Sequence, residues 1–275
     1  MDGPSGMRGP ISGNTSMQSN ELVESLNPLR SSYATLRADS GGPGKFRGGL
    51  GLVRQVEILS KEAFLSIVTD RSAIPPFGIY KGRSGLGQKW SIIRNRVEKP
   101  IPFEGKASRF KLTKGDIVCS LTAGGGGYGD PLDRDPEAVR EDVIEGYVTL
   151  DSAMKVYGVV IDGKDFSLDK EATRKQRERL REQKRTFAVE SYGAPLFLKG
   201  MKGVLLNREE RAAFHSGDLV EIHYEQSAVP YRARVILKSA IKSKHALVDD
   251  ETGQMMGIRK GDVITLINLS TPIHL

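Results

Sequence analysis

The sequence contains few of the residues on which compact catalytic sites are commonly built. Cys119 is the only cysteine in 275 residues, which excludes an intrachain disulfide and a thiolate zinc cluster and fits a reducing compartment. Its neighbours are typical of a strand, so we expect a buried thiol rather than a nucleophile. The histidines are confined to the last quarter of the chain and lack the two-histidine spacing of a metal site: His215, His223, His245 and His274. We predict that His223, within an Ile-His-Tyr strand, is exposed, and we expect no metal site.

Long apolar runs are also missing. No stretch approaches the roughly 20 apolar residues that a membrane-spanning helix requires. The first 18 residues are rich in Gly, Ser and Pro and have no apolar core of the kind found in signal peptides. We therefore expect a cytoplasmic protein that is neither secreted nor inserted in a membrane.

Positive charge is in excess and unevenly placed. The formal net charge is +7, and residues 167–185 hold eight positive and four negative side chains, which gives +4 in one predicted helix. Such an excess suits an acidic partner, whether nucleic acid, an anionic substrate or another subunit. Because the charges are mixed and no aromatics are interleaved, the pattern favours a solvated or subunit-contacting helix over nucleic-acid binding.

The pattern of apolar runs and breakers predicts an α+β protein in four parts. Residues 1–30 form an N-terminal arm with a short helix, and residues 31–160 a β-rich main domain with two or three helices. Asp135 and Thr149 are the expected N-caps of two of those helices. Residues 161–186 form a basic helical linker, and residues 187–275 a small all-β, barrel-like domain.

Three short phrases recur at the starts of predicted strands. In each, a Gly-Asp pair supplies a turn and the apolar residues that follow begin a buried strand. We interpret them as structural turns rather than as sites, and they are Lys114-Gly-Asp, Ser216-Gly-Asp and Lys260-Gly-Asp.

A glycine-rich phrase from Asp39 to Gly51 has the composition of a phosphate-binding loop. It has six glycines in thirteen residues, and Lys45 could add positive charge. However, the first glycine of a Walker loop is absent and Phe46 follows the lysine in place of Ser or Thr. The residues after the phrase predict a strand rather than a helix whose N-terminus could face an anion. We therefore predict a tight turn that is structural or faces a partner.

A second glycine-rich phrase, residues 123–131, lies between a predicted strand and the helix that Asp135 caps. That order suits anion binding, but the glycine spacing of a dinucleotide site is absent. Four consecutive glycines are better explained by the close approach of another backbone or of a substrate.

Together the two phrases resemble the C-terminal half of the hydantoinase B/5-oxoprolinase family, which includes the large subunits of acetone and acetophenone carboxylases. The resemblance covers about residues 10–160 as a series of ordered blocks and leaves the region from about residue 187 uncovered. Its blocks are residues 13–16, 27–30, 36–51, Arg54, 70–71, 75–78, Gly82, 123–131, 142–143, Gly146, Ala153 and 157–159.

The resemblance implies an ATP-dependent enzyme with phosphorylated intermediates. Family members either open cyclic amides, as hydantoinases and oxoprolinases do, or join bicarbonate to a ketone, as the carboxylases do. A hydantoinase A-like partner handles ATP, and the B-type subunit helps to bind and activate the organic substrate. The resemblance thus places ATP and a divalent metal on partner subunits and predicts no cofactor bound by this chain alone.

The N-terminal half of the family, with its acidic and His-containing metal-ligand region, has no counterpart in this sequence. We therefore expect a split B subunit that works with a chain carrying that half, with the ATP-binding subunit and, in a carboxylase, with a small zinc-binding subunit. An added β domain favours the acetophenone carboxylase type; a hydantoinase or oxoprolinase subunit and a purely structural scaffold subunit remain as alternatives. The candidate pocket or interface residues are Asp39, Arg47, Arg54, Asp70, Arg71, Gly124, Gly125, Gly126, Gly127 and Tyr128. No catalytic residue is identified among them.

Overall fold

A computed structural model describes residues 1–6, 18–101, 106–193, 202–239 and 241–269 of the chain. The chain divides into two compact units. The first comprises Met1–Gly78 and Gly82–Arg177, and the second comprises Ile79–Lys81 and Glu178–Leu275. The matched block at residues 13–16 and His274 lie outside the described residues. The predicted boundaries, at residues 160 and 186, flank the observed division.

The first unit is built on a five-stranded antiparallel sheet and a separate two-stranded ribbon. The sheet has the order β1-β2-β7-β4-β5, and β3 pairs with β6 in the ribbon. Ile58, Ile92 and Val118 from the sheet pack with Ile67 and Leu112 from the ribbon in one buried apolar cluster. Cys119 is buried in β7, as its sequence context predicts. The strands are β1 (Leu29–Leu36), β2 (Leu52–Ile58), β3 (Glu62–Val68), β4 (Lys89–Arg94), β5 (Val97–Pro100), β6 (Lys106–Thr113) and β7 (Ile117–Leu121).

Two helices begin at their predicted caps, Asp135 and Thr149, and the short helix of the N-terminal arm begins after Ser19. Ser19, Asp135 and Thr149 each accept a backbone N–H of the first helical turn, which satisfies a donor that would otherwise have no partner. A cluster centred on Val139, Ala153 and other apolar side chains packs α2 and α3 together. The helices are α1 (Asn20–Leu26), α2 (Pro136–Ile144), α3 (Leu150–Lys155) and α4 (Lys170–Glu182), with the short strands β8 (Val160–Ile161) and β9 (Leu168–Asp169) between the last two.

The second unit is a closed six-stranded barrel with the order β10-β14-β11-β13-β12-β15. The pairs β10–β14 and β11–β13 are parallel, and the other pairs are antiparallel. Alternate side chains of the strands meet inside as one apolar core, which includes Val220, Ile222 and Val235. The elements are β10 (Thr186–Gly193), β11 (Gly203–Asn207), β12 (Leu219–Tyr224), β13 (Tyr231–Lys238), β14 (His245–Asp249), α5 (Asp250–Met256) and β15 (Val263–Asn268).

The predicted fold class, α+β with a C-terminal barrel, is confirmed. The three Gly-Asp phrases form the predicted turns, because Gly115, Gly217 and Gly261 adopt φ values of +87°, +100° and +91° and each precedes a strand. No described helix is long and apolar enough to cross a membrane.

The predicted exposure of His223 is wrong. Its side chain is buried, and its Nε2 lies 3.4 Å from Glu221 Oε2. Arg232 on β13 donates two hydrogen bonds, of 3.1 and 2.9 Å, to Glu221 Oε1. Strand β12 lies between β13 and β15, and its residues from Val220 to Tyr224 are all buried. A polar residue on this strand is therefore buried as well, which the sequence of the strand did not indicate.

Candidate functional site

The two glycine phrases lie against each other in the first unit. Phe46 and Tyr128 exchange backbone hydrogen bonds of 3.0 and 2.9 Å and form an isolated β-bridge. The N–H of Gly42 donates to Gly125 O at 2.7 Å, and the N–H of Gly125 donates to Gly49 O at 2.8 Å. We call the interlocked residues 39–51, 82–87 and 123–130 the glycine junction.

The third segment of the glycine junction closes it from the other side. Arg83 donates its backbone N–H to Pro43 O at 2.7 Å, and Gly127 donates its N–H to Arg83 O at 3.0 Å. Leu86 donates its N–H to Ser40 O at 2.8 Å. These bonds join three segments that are far apart in sequence through their main chains alone.

Glycine is required at the junction because backbone atoms occupy the space of a side chain. A Cβ at Gly124 would lie 1.9 Å from Ser40 O, and one at Gly126 would lie 1.8 Å from Phe77 O. At Gly48 the nearest atom would be Gly125 O, at 2.2 Å. Of the two interpretations of the glycine run, the structure therefore shows the close approach of another backbone.

The same contacts bear on phosphate binding. A phosphate loop presents several free N–H groups to one anion, whereas the N–H groups of Gly42, Gly48, Gly124, Gly125 and Gly127 all donate to backbone carbonyls. Among the described residues, no three His, Cys, Asp or Glu side chains are placed to hold a metal ion. The glycine junction therefore fits neither a nucleotide phosphate nor a metal.

A network of four charged side chains, which we call the ion network, ties the junction to α2; Arg47, Arg134 and Asp142 are buried and Asp2 is partly exposed. Arg47 donates to both carboxylate oxygens of Asp142, through Nε at 3.2 Å and Nη2 at 3.1 Å, and through Nη1 to Gly48 O at 3.0 Å. Arg134 bonds the other side of Asp142 at 2.8 Å and holds Asp2 in a fork of 2.6 and 2.7 Å. Two positive and two negative groups compensate one another in the interior.

The charges of the ion network are stabilised by their partners. Burial of Asp2 opposes its ionisation, but its hydrogen bonds with Arg134 and with the Arg47 N–H outweigh burial and lower its pKa below the ordinary value. Burial likewise opposes the charge of Arg134, but the hydrogen bond to Asp2 and the nearby Asp142 raise its pKa. Asp2 and Arg134 therefore remain charged around neutral pH.

Asp39 connects the glycine junction to the N-terminal cap of α3. Its two carboxylate oxygens accept the backbone N–H of Thr149 at 3.1 Å and the Thr149 hydroxyl at 2.7 Å. The Thr149 hydroxyl in turn accepts the N–H of Ser152, so Asp39 orients the cap of the helix. Asp39 has φ of +56°, a left-handed conformation that Asp tolerates better than most residues.

The remaining predicted residues lie in three places. Arg54 is on β2, where its Nη2 donates to Asn20 Oδ1 at 3.3 Å. Tyr128 stays at the junction, is 45% exposed, and packs its ring 6.0 Å from that of Phe46. Asp70 and Arg71 are exposed on the loop that follows β3 and are not brought into the ion network.

Asp70 and Arg71 line a cavity of about 520 Å³, which we call the loop cavity. Its wall is formed by one loop and the first residue of β6, and it comprises Thr69, Asp70, Arg71, Ser72, Ala73, Ile74 and Lys106. Sequence reasoning identified two of these seven residues. Asp2 and Arg134 of the ion network were not predicted, and Asp142 was named only within a matched block. The position of Asp142 between the buried valines of α2 was the signal that could have identified it.

The hydantoinase B/oxoprolinase family model matches residues 1–131. The match covers just under half of the chain. The match includes the whole glycine junction, Arg47 and the loop of the loop cavity.

Two curated relatives represent two chemistries in this family. The caprolactamase subunit beta of Pseudomonas jessenii is 33% identical over 159 residues, which are 57% of this chain and 27% of that protein. The acetophenone carboxylase delta subunit of Aromatoleum aromaticum is 29% identical, over 57% of this chain and 27% of that protein. The chain thus spans little more than a quarter of the length of these relatives.

A solved structure of acetone carboxylase, without nucleotide, shares the fold. It superposes with a TM-score of 0.57 at 24% identity and covers 66% of this chain and 28% of the other. The resemblance of the sequence to the hydantoinase B/5-oxoprolinase family is therefore confirmed. The relatives include subunits of a carboxylase and of a caprolactamase, so residues 1–131 match a family that contains enzyme subunits.

Proposed function

We propose that this chain is a non-autonomous subunit of an ATP-dependent, multi-subunit ketone carboxylase that joins bicarbonate to an aromatic or small ketone. The observation that supports this most is the relation to two carboxylases: the acetophenone carboxylase delta subunit in sequence and acetone carboxylase in fold. ATP and a divalent metal would be bound by partner subunits, as the resemblance of the sequence to the family implies.

The partners follow from the same proposal. A hydantoinase A-like subunit would bind ATP, another chain would supply the N-terminal half of hydantoinase B, and a small zinc-binding subunit would complete a carboxylase. This chain would contribute a rigid junction, whose glycines and ion network fix three loops, and a surface on which Tyr128 is 45% exposed. The charged residues Asp39 and Arg47 would support that surface rather than touch substrate, since both are engaged by neighbouring groups.

The experiment is reconstitution of the complex with this chain and its co-purifying partners. ATP hydrolysis should depend on bicarbonate together with acetophenone or acetone, and the isolated chain should be inactive. Turnover of a ketone or hydantoin by the isolated chain would overturn the subunit proposal. Tyr128→Ala should lower turnover with assembly intact, whereas Tyr33→Ala, a control at a residue 50% exposed, should not.

A second candidate is a B-type subunit of an ATP-dependent hydantoinase or 5-oxoprolinase that opens a cyclic amide. The identity of 33% to the caprolactamase subunit beta, against 29% to the acetophenone carboxylase subunit, favours it. ATP hydrolysis stimulated by a hydantoin or 5-oxoproline without bicarbonate would establish this function and exclude the carboxylase. If Tyr128→Ala instead abolished assembly, the chain would be a scaffold subunit.

A further inference from the structure

We infer that the loop cavity binds a small oxyanion, either a carboxylate or a phosphate group. The source would be the substrate or its activated form, and this choice of source rests on the proposed function. The cavity lies entirely in the first unit and is lined by the seven residues given above, from Thr69–Ile74 and Lys106. Its volume of about 520 Å³ is in the range of small-molecule sites.

The charges of the loop cavity favour an anion. Arg71 and Lys106 carry two positive charges and Asp70 one negative charge, so the described residues of the lining have a net charge of +1. Within the described parts of the chain, neither Arg71 nor Lys106 has a carboxylate oxygen within 4.0 Å, unlike Arg47 and Arg134 of the ion network. The guanidinium fork of Arg71 matches the two oxygens of a carboxylate or phosphate, and Lys106 adds a second cation.

A buried hydroxyl in the same wall has no partner. Ser72 Oγ is buried and makes no hydrogen bond with any described residue. Buried hydroxyl groups normally have a partner, because leaving one without a hydrogen bond is unfavourable. An oxyanion in the loop cavity would accept this hydrogen bond as well as those of Arg71 and Lys106.

The backbone of the loop is held in place while its charged side chains face solvent. Arg71 has φ of +64°, and its carbonyl accepts the N–H of Gln88 at 2.9 Å. With the Gln88 amide oriented to accept from Trp90 Nε1 at 2.7 Å, its nitrogen donates to Asp70 O at 3.2 Å. Gly87 permits this approach, since a Cβ there would lie 2.8 Å from Ser72 O. A preorganised loop lowers the entropic cost of binding.

Part of the wall is apolar. Ala73 and Ile74 line the loop cavity, and Ile74 is 55% exposed. A ligand that carries a short apolar group beside its oxyanion would therefore contact both kinds of surface. This favours an organic acid or an organic phosphate over a free inorganic ion.

The test is titration of the full chain with potassium phosphate and with potassium acetate at constant ionic strength, with chloride as the reference. Trp90 is the only tryptophan and is connected to the loop through Gln88, so its fluorescence reports occupancy. We expect saturable binding that Arg71→Gln and Lys106→Gln each weaken about tenfold or more, and Ser72→Ala by a smaller factor. The larger of the phosphate and acetate affinities identifies the source.

Lys61→Gln is the matched control, because it removes one exposed positive charge from the first unit outside the loop cavity. Absence of saturable binding, or equal weakening by Lys61→Gln, would overturn the proposal. Thermal unfolding verifies that each variant is folded. If Arg71→Gln does not fold, Lys106→Gln still tests the proposal. Binding is measured on this chain alone. A negative titration therefore does not contradict the proposed subunit function, and a failure to assemble with partners does not contradict a positive titration.

Discussion

The glycine junction of the first unit and the barrel of the second both bury polar main chain, but they do so with different side chains. In the junction, glycines let carbonyl oxygens approach to distances that exclude any side chain, and four charged groups fill the space beside α2. In the barrel, strand pairing satisfies the main chain, and apolar side chains such as Val220, Ile222 and Val235 fill the interior.

The two units represent two ways in which a sequence can specify one arrangement. An apolar core tolerates substitutions of similar volume, because its attraction has no direction. Main-chain contacts at glycine and a paired buried ion have a fixed geometry, so each allows few alternatives. The stability of the first unit should therefore depend on single atoms and charges, and the stability of the second on the volume of its buried side chains.

The largest effect is expected from Asp142→Asn. The change keeps the size of the side chain but removes the charge that Arg47 and Arg134 share, and breaking a buried ion pair costs about 3–5 kcal/mol. Urea unfolding followed by Trp90 fluorescence, which reports the first unit, measures it. Asp151→Asn removes an exposed pair with Lys155 and should cost no more than about 1 kcal/mol. Equal effects would refute the special role of the ion network.

In the barrel, Ile222→Ala should destabilise by about 2–5 kcal/mol through the cavity it leaves. Val263→Ala, at a residue 57% exposed, is the control and should change stability little. Hydrogen exchange of the β12 amides follows the barrel, and Trp90 fluorescence follows the first unit. If both transitions shifted equally, the two units would unfold as one and the contrast between them would not hold.

Local features of both units could be predicted from the sequence. Helix caps such as Asp135 and Thr149, and the turns at Gly115, Gly217 and Gly261, depend on neighbouring residues and were placed correctly. The helix α5 was missed, because Gly253 lies within it and lowers its helix propensity. Its cap, Asp249, which accepts the N–H of Thr252, was the available signal.

Long-range pairing could not be predicted in the same way. Asp2 and Arg134 are 132 positions apart, and Arg47 and Asp142 are 95 apart, so no local pattern connects them. The glycine phrases did indicate close backbone approach, although not which segments meet. In the loop cavity, Lys106 joins a loop more than 30 positions away only because β3 and β6 pair, with Val68 opposite Lys106.

A smaller loss is expected when the junction is probed at a single glycine. Gly126→Ala would place a Cβ 1.8 Å from Phe77 O, and the backbone shift that relieves this clash should cost about 1–3 kcal/mol or more. Gly163→Ala is the control, since its Cβ would meet only the flexible end of Leu150, and we expect a change within about 0.5 kcal/mol. Urea unfolding of both variants, followed by Trp90 fluorescence, distinguishes them. Equal stability would mean that the junction can shift at little cost.

The smallest effect is expected when the pH is lowered. It tests a feature that the two units share, a carboxyl group whose pKa is lowered by hydrogen bonds. The hydrogen bond from Arg94 and the N–H of Thr113 hold the pKa of Asp116 below its ordinary value, and hydrogen bonds from Tyr224 and the N–H of Arg259 do the same for Asp262. A carboxyl group whose pKa is lower in the folded state stabilises it at pH values above the unfolded pKa. This stability is lost as the pH falls below about 4, through the folded pKa.

Asp116→Asn should therefore flatten the acid side of the pH–stability curve for the first unit, and Asp262→Asn should flatten that of the barrel. Thermal unfolding between pH 2 and 7 measures both, with Trp90 fluorescence reporting the first unit and hydrogen exchange of the β12 amides reporting the barrel. Asp151→Asn serves as the control at an exposed carboxylate. Unchanged acid sensitivity in Asp116→Asn would show that other carboxylates, Asp2 of the ion network first among them, determine the response of the first unit to acid.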